Sequence, residues 1–281
     1  INNVTGVGST NIGTISLINS YQTNVAAATT TTIVSISSTY RASKALIMLE
    51  NDEQQFTASE LNILHDGTDV YMTEFGDLSV SLTPDFTGFG TFHSYIDGSQ
   101  IKVDFIPSVG VALTANSNVV SIANSEATGI GSVRLDVCDV ISHYASIAAS
   151  GSPTAVNVAS YHDPILSSYN LVSVEDLTNN EYEMFEAILL TGITDENEAV
   201  FVEFANMSSG AGLGTVGFST DSGNHLTFTP EPNIDVEVRT YSMGMLVYDA
   251  NLLPTGIGFT NTELTTHARE YRGTRLELAT S

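Results

Sequence analysis

The sequence predicts an all-β protein: two tandem β-sandwich modules of jelly-roll-like type, followed by a C-terminal extension. Three observations lead to this prediction. A short sequence motif recurs along the chain. Apolar and polar residues alternate with the period of two that strands have, and Gly, Asn and Asp separate strand-length segments. Strands spaced about 8–12 residues apart with such turns are typical of sandwiches and jelly rolls.

The recurring motif is Thr-Gly-x-Gly, which starts at Thr5, Thr128 and Thr255, at nearly constant intervals. Further matches follow in the same order, and their spacing drifts as expected when insertions fall in loops on a fixed framework. The matched residues are Phe56 and Glu60 with Tyr182 and Glu186, Glu74-Phe75 with Glu203-Phe204, 88–91 with 212–215, and Val103, Phe105 and Pro107 with Leu226, Phe228 and Pro230. The repeat predicts modules over 1–127 and 128–254, and an incomplete third copy over 255–281.

Alternation and composition predict the individual strands. Ile101, Val103 and Phe105 alternate with polar residues, and β-branched residues fill 29–36 and 154–158. Consecutive apolar residues at 45–50 and 171–176 predict central strands. Pro107 and Pro230 predict strand ends, because Pro cannot donate to a ladder. Turns are expected at 66–69, 75–77 and 97–99.

These strands predict which side chains are buried in each of the two modules. The side chains expected to be buried are Leu46, Ile47, Leu61, Ile63, Val103 and Phe105 in the first module, and Leu171, Val174, Ile188, Leu226, Phe228 and Val236 in the second. Cys138, the only cysteine, lies in an apolar alternating stretch and is expected to be a small buried side chain. An intermolecular disulfide or a reactive thiol is the alternative.

The chain is 281 residues long and strongly acidic, with 32 Asp and Glu against 8 Lys and Arg and a net charge of −24. Such a field repels nucleic-acid phosphates and anionic membranes, so neither is expected as a partner. No apolar run is long enough to span a bilayer. Seawater-like ionic strength, where the screening length is on the order of 4 Å, would relieve the self-repulsion. The charge fits a saline setting and an ordinary acidic protein equally well.

The candidate catalytic residues are paired carboxylates. Glu60 and Glu74 flank the turn at 66–69 and can lie on adjacent antiparallel strands, which is compatible with an acid–base pair. Because Glu186 and Glu203 repeat this pair in the second module, a structural role is favoured over catalysis. Nucleophile-elbow and zinc-ligand spacings are absent, and the six His are scattered. No catalytic residue, cofactor or metal ligand is therefore predicted.

Two acidic loops, 51–53 and 195–198, carry oxygen ligands of the kind that Ca²⁺ prefers, but they lack an ordered loop consensus. Solvated turns are the favoured interpretation. The extension 255–281 concentrates basic charge instead, at Arg269, Arg272 and Arg275. Because a planar guanidinium binds carboxylates with two hydrogen bonds, these arginines are the predicted subunit contacts. The alternative is an extension that packs on its own second module.

Several segments together resemble a known family. The segments are Thr39-Tyr40-Arg41-Ala42-Ser43-Lys44, Phe56-Thr57-Ala58-Ser59-Glu60, His65-Asp66-Gly67-Thr68 and Thr73-Glu74-Phe75-Gly76, with 174–182 through 212–215 in the second copy. They are similar to the repeated β-module of virion structural proteins from tailed phages of marine bacteria, chiefly T4-like phages of cyanobacteria. The similarity covers about 30–122 and 153–247. In the second copy Thr191-Gly192-Ile193-Thr194 replaces the His-Asp-Gly-Thr turn.

The resemblance implies a non-enzymatic building block of the tail, neck or fibre apparatus, located in the virion and without a cofactor. Other virion proteins and further copies of the chain are the partners it implies. A capsid decoration protein is the alternative within the same class. A sugar-binding surface module and a glycan-cleaving enzyme remain alternatives from other classes. The absence of Trp weakens the sugar-binding alternative, whereas eleven Tyr keep it open.

Overall fold

The computed structural model confirms the all-β class. It describes residues 5–12, 16–80, 88–108, 110–123, 131–135, 138–161, 165–191, 199–219 and 224–246. The predicted module boundaries near 127 and 254 lie outside these residues, and so does the extension 255–281 with its three arginines. The described residues contain no helix, and hence none long and apolar enough to cross a membrane.

Within the residues that the structure describes, nine strands lie in each half of the chain. The first half contains β1 (Thr5–Ile12), β2 (Ser16–Val25), β3 (Thr31–Ser37), β4 (Tyr40–Glu50), β5 (Phe56–His65), β6 (Val70–Val80), β7 (Gly90–Asp97), β8 (Gln100–Pro107) and β9 (Leu113–Ala123). The second half contains β10 (Gly131–Leu135), β11 (Cys138–Ile147), β12 (Val156–Tyr161), β13 (Ile165–Asp176), β14 (Glu181–Thr191), β15 (Ala199–Ser208), β16 (Gly214–Ser219), β17 (Asn224–Pro230) and β18 (Val236–Leu246).

Each half forms one six-stranded and one three-stranded antiparallel sheet. The first half has the orders β1-β2-β9-β4-β5-β6 and β3-β8-β7. The second half has β10-β11-β18-β13-β14-β15 and β12-β17-β16, which is the same order when its strands are counted from β10. The nested pairs β2–β9 and β3–β8 are jelly-roll-like, while β4, β5 and β6 form a meander on the large sheet.

The large and small sheets of each half enclose a sandwich core, and a third core joins the halves. Ile47, Leu61 and Phe105 lie in the first sandwich core, and Val172, Phe185 and Phe228 lie in the second. The third core lies between the outer faces of the two large sheets. Its buried members are Ala42, Leu64, Ile122, Val140, Leu171, Tyr182, Met184 and Tyr241. The layers therefore follow the order small sheet, large sheet, large sheet, small sheet.

The core prediction is correct at ten positions and wrong at two. Leu46 and Ile188 are 56% and 47% exposed, whereas the remaining predicted side chains are buried. Leu46 lies on β4, which is a central strand as predicted, and Ile188 lies on β14, but both project from outer faces that the other half does not cover at these positions. The 75–77 segment is not a turn between strands: it lies inside β6, where Gly76 has a φ of 70° beside a register shift opposite 58–60.

Gly90 and Gly214 permit close approach at equivalent corners of the two sandwiches. A β-carbon at Gly90 would lie 2.1 Å from the Ile106 carbonyl oxygen, and one at Gly214 would lie 2.4 Å from the Thr229 oxygen. Both positions also crowd the ring of the adjacent core Phe, Phe105 or Phe228. Only glycine fits at either corner, and each pairs with the proline that ends the neighbouring strand, Pro107 or Pro230.

Candidate functional site at the interface of the two halves

The carboxylate of Glu186 is the centre of the interface between the large sheets. Glu186 lies on the outer face of β14 and its side chain is fully buried. Its Oε2 accepts hydrogen bonds from Lys44 Nζ at 2.5 Å and Tyr169 Oη at 2.6 Å, and its Oε1 accepts one from Asn62 Nδ2 at 2.7 Å. Two of these donors, Lys44 and Asn62, belong to the first half. The buried charge therefore has partners from both halves.

Lys44 joins two carboxylates that come from opposite sides of the interface. Its Nζ lies 2.8 Å from Glu60 Oε1 as well as 2.5 Å from Glu186 Oε2. The same ammonium lies 4.7 Å from the centre of the Tyr169 ring, within the range of a cation–π contact. Because Lys44 is one of only two lysines in the chain, its placement here accounts for half of the lysine charge.

Glu60 and Glu186 occupy equivalent places in the two sheets. Glu60 pairs with Leu46 on one neighbouring strand and with Phe75 on the other, while Glu186 pairs with Leu171 and Phe204. The rings of the equivalent residues Phe75 and Phe204 lie 6.3 Å apart. The halves therefore meet through the outer faces of their large sheets, but equivalent residues are not equally covered: Leu171 is fully buried, whereas its counterpart Leu46 is 56% exposed.

Two cation–π contacts flank this centre. The Arg41 guanidinium lies 4.0 Å from the centre of the Tyr182 ring, and its Nη1 donates to the His65 carbonyl at 3.2 Å. Arg239 is almost fully buried, pairs with Glu175 at 3.2 Å and with Glu237, and lies 5.5 Å from the Tyr144 ring. Three of the chain's eight basic side chains are thus engaged around the outer faces of the large sheets.

The electrostatics keep the hydroxyl and imidazole groups of the site neutral. Burial, and then the hydrogen bond to Glu186, raise the pKa of the Tyr169 phenol far above its usual value, so it stays a donor. Burial and the charge of Arg41 lower the pKa of His65. His65 Nδ1 accepts from the Gly67 amide at 3.1 Å, and Nε2 lies 3.0 Å from the Tyr40 carbonyl oxygen. This network assigns the proton of neutral His65 to Nε2.

The carboxylate pairs considered in the sequence lie on adjacent antiparallel strands but on opposite faces. Glu74 pairs with the inward-facing Leu61, whereas Glu60 projects outward; Glu203 likewise pairs with the inward-facing Ala187. The structure instead brings Glu60 and Glu186 together through Lys44. Sequence reasoning missed this contact because it joins residues 142 positions apart. One signal was available in the sequence: Lys44 is one of only two lysines, and it lies in the same module as the matched Glu60.

The other candidate residues do not converge. The Asn51 side-chain oxygen accepts from the amides of Glu53 and Gln55, so 51–53 forms a hydrogen-bonded turn. Nowhere in the part of the chain that the structure describes do three or more His, Cys, Asp or Glu form a group able to hold a metal ion. Cys138 is half-buried, and burial raises the pKa of its thiol. The acidic segment 195–198 lies outside the described residues.

We compared the chain with protein-family models, with curated proteins and with solved structures, and none of the three comparisons returned a match.

Removing the positive charge from the interface should destabilise the chain more than removing either carboxylate. We expect Lys44→Met to lower the free energy of unfolding by about 3–5 kcal/mol, because it leaves a buried carboxylate without its cation. Glu186→Gln should cost about 1.5–3 kcal/mol through weakened charged hydrogen bonds. The part-exposed Glu60→Gln should cost about 1 kcal/mol or less.

Urea unfolding followed by circular dichroism measures this series. Glu74→Gln is the matched control, since this exposed glutamate lies on the strand next to Glu60 and should change the free energy of unfolding by no more than about 0.5 kcal/mol. Equal costs for all four substitutions would contradict the assignment of Glu186 and Lys44 as the centre of the interface.

The lowered pKa of His65 predicts a loss of stability in mild acid. A histidine whose pKa is lower in the folded than in the unfolded state binds more protons when unfolded. The contribution of neutral His65 to the free energy of unfolding is complete above pH 6.5, the ordinary pKa of histidine, and is lost as the pH falls towards the folded-state pKa. We expect His65→Gln to reduce the fall in the free energy of unfolding between about pH 7 and pH 5. Parallel pH profiles for the two proteins would refute this role.

Proposed function

We propose that this chain is a non-enzymatic structural protein of a tailed-phage virion, located in the tail, neck or fibre apparatus. The resemblance to virion β-modules motivates the proposal. The observation that carries it is the buried Glu186–Lys44 contact, which commits charged side chains of both halves to holding the two sandwiches together. A pair of sandwiches fixed in this way suits a part that transmits load or spaces neighbouring proteins.

The placement of the carboxylates favours a building block over a glycan-cleaving enzyme. Glycosidases need two carboxyl groups that face one substrate across a cleft. Glu60 and Glu74 lie on opposite faces of their sheet, and Glu186 is fully buried against protein donors. The carboxylates that do converge, Glu60 and Glu186, are occupied by Lys44. Glu60 and Glu186 therefore hold the two halves together through Lys44.

The charge of the chain fits a virion in saline water as part of the same proposal. A net charge of −24 keeps copies of the chain apart in solution, and the repulsion is largely screened at high ionic strength. The predicted subunit contacts Arg269, Arg272 and Arg275 would meet such acidic surfaces on other virion proteins. They remain predictions, because they lie outside the described residues.

The proposal is tested on particles of the phage that encodes the chain. Peptides of this protein should remain with particles through density-gradient purification and a high-salt wash, and should be detected by mass spectrometry. Gold-labelled antibodies raised against 16–80 should mark the tail or its fibres in electron micrographs. Label confined to the capsid surface would favour a decoration protein, and absence from washed particles would contradict a structural role in the virion.

A further inference from the structure

An uncovered apolar strip lies on the outer face of the second large sheet. Its members, here called the apolar strip, are Ile188, Leu190, Val200, Val202, Met243 and Met245, which are between 38% and 58% exposed. Together with Tyr169 and Ser167, they form two adjacent rows across four strands. One row runs Met243, Tyr169, Ile188, Val202, and the next runs Met245, Ser167, Leu190, Val200. Neither row contains a charged residue.

The apolar strip continues a surface that already binds another sheet. The row beside it contains Tyr241, Leu171, Glu186 and Phe204, and these residues pack against the first half. Leu171 and Glu186 are fully buried there. Because residues on one face of a sheet share its orientation, the strip faces the same way as the interface and begins where coverage by the first half ends.

The intramolecular interface indicates which partner suits this face. The outer face of the second sheet packs on the equivalent outer face of the first, and equivalent residues such as Phe75 and Phe204 contact each other. The outer face of one large sheet of this fold thus accepts the outer face of another large sheet. Contiguous exposed apolar side chains on a soluble protein mark interaction sites. The remaining acidic surface favours neither nucleic acid nor an anionic membrane as the partner.

We propose that a second copy of this chain docks on the apolar strip, strip against strip about a two-fold axis. The inference rests on exposure and strand register, and it stands whether or not the protein belongs to a virion. The strip spans about 14 Å across the strands and about 7 Å along them. This is smaller than the roughly 800 Å² per partner of a stable interface. The association is therefore weak and reversible in the free protein.

Salt strengthens this dimer. Each copy carries a net charge of −24, so two copies repel each other at low ionic strength, while the strip itself is uncharged. Screening reduces the repulsion and leaves the burial of apolar surface intact. An interface built on ion pairs shows the opposite salt dependence, which makes the sign of the effect informative.

Sedimentation velocity on the full chain tests the proposal, from micromolar to millimolar concentration at low and high salt. We expect a monomer–dimer equilibrium that shifts towards the dimer as salt is raised. Val202→Glu should weaken it by more than about tenfold, because the dimer would bury an unpaired charge on each copy. Leu78→Glu is the matched control: Leu78 is 70% exposed on β6, the edge strand of the first large sheet, outside the strip. Thermal unfolding of both variants verifies that they fold.

Cross-linking tests the two-fold arrangement. A Val202→Cys variant treated with a bis-maleimide should give covalent dimers, while the wild type, whose only cysteine is the half-buried Cys138, supplies the background. A monomeric full chain under all conditions would overturn the proposal, and so would equal association of the wild type and Val202→Glu. Dimers that appear only after removal of residues 247–281 would overturn it as well, because that segment would then cover the strip.

Discussion

Burial of the Glu186 carboxylate is the constraint on which the arrangement of the two halves depends. An ion removed from water without compensation costs several kcal/mol, so the structure has to place donors around it. Lys44 and Asn62 reach it from the first half and Tyr169 from the second. Because these donors stand at fixed positions on their strands, satisfying the carboxylate also determines how one large sheet lies against the other.

Equivalent positions in the two halves carry side chains of complementary chemistry. Lys44 pairs with Asn62 and Val120, and Tyr169 pairs with Ile188 and Met243 at the equivalent register. The first half thus places a cation and an amide where the second half has a phenol and an apolar side chain. If both sheets carried lysine at this position, two like charges would face each other across the interface. The difference between the halves allows equivalent faces to pack together.

The sequence predicted features that depend on local pattern. Alternation placed Val103 and Phe105 in the first core, and turn chemistry located the hairpins at 66–69 and 97–99. It failed where the answer depends on packing between distant sheets. Leu46 and Ile188 belong to strands with consecutive apolar residues, yet their outer faces are only partly covered. The Lys44–Glu186 contact was not predicted for the same reason, since strand patterns do not say which outer faces meet.

The contacts around Glu186 should make the two halves a single cooperative unit. Differential scanning calorimetry of the full chain measures this cooperativity. We expect one transition whose calorimetric enthalpy equals the van't Hoff enthalpy, as for an all-or-none unfolding of both sandwiches together. Two separate transitions, or a van't Hoff enthalpy of about half the calorimetric value, would contradict it, because the halves would then unfold independently.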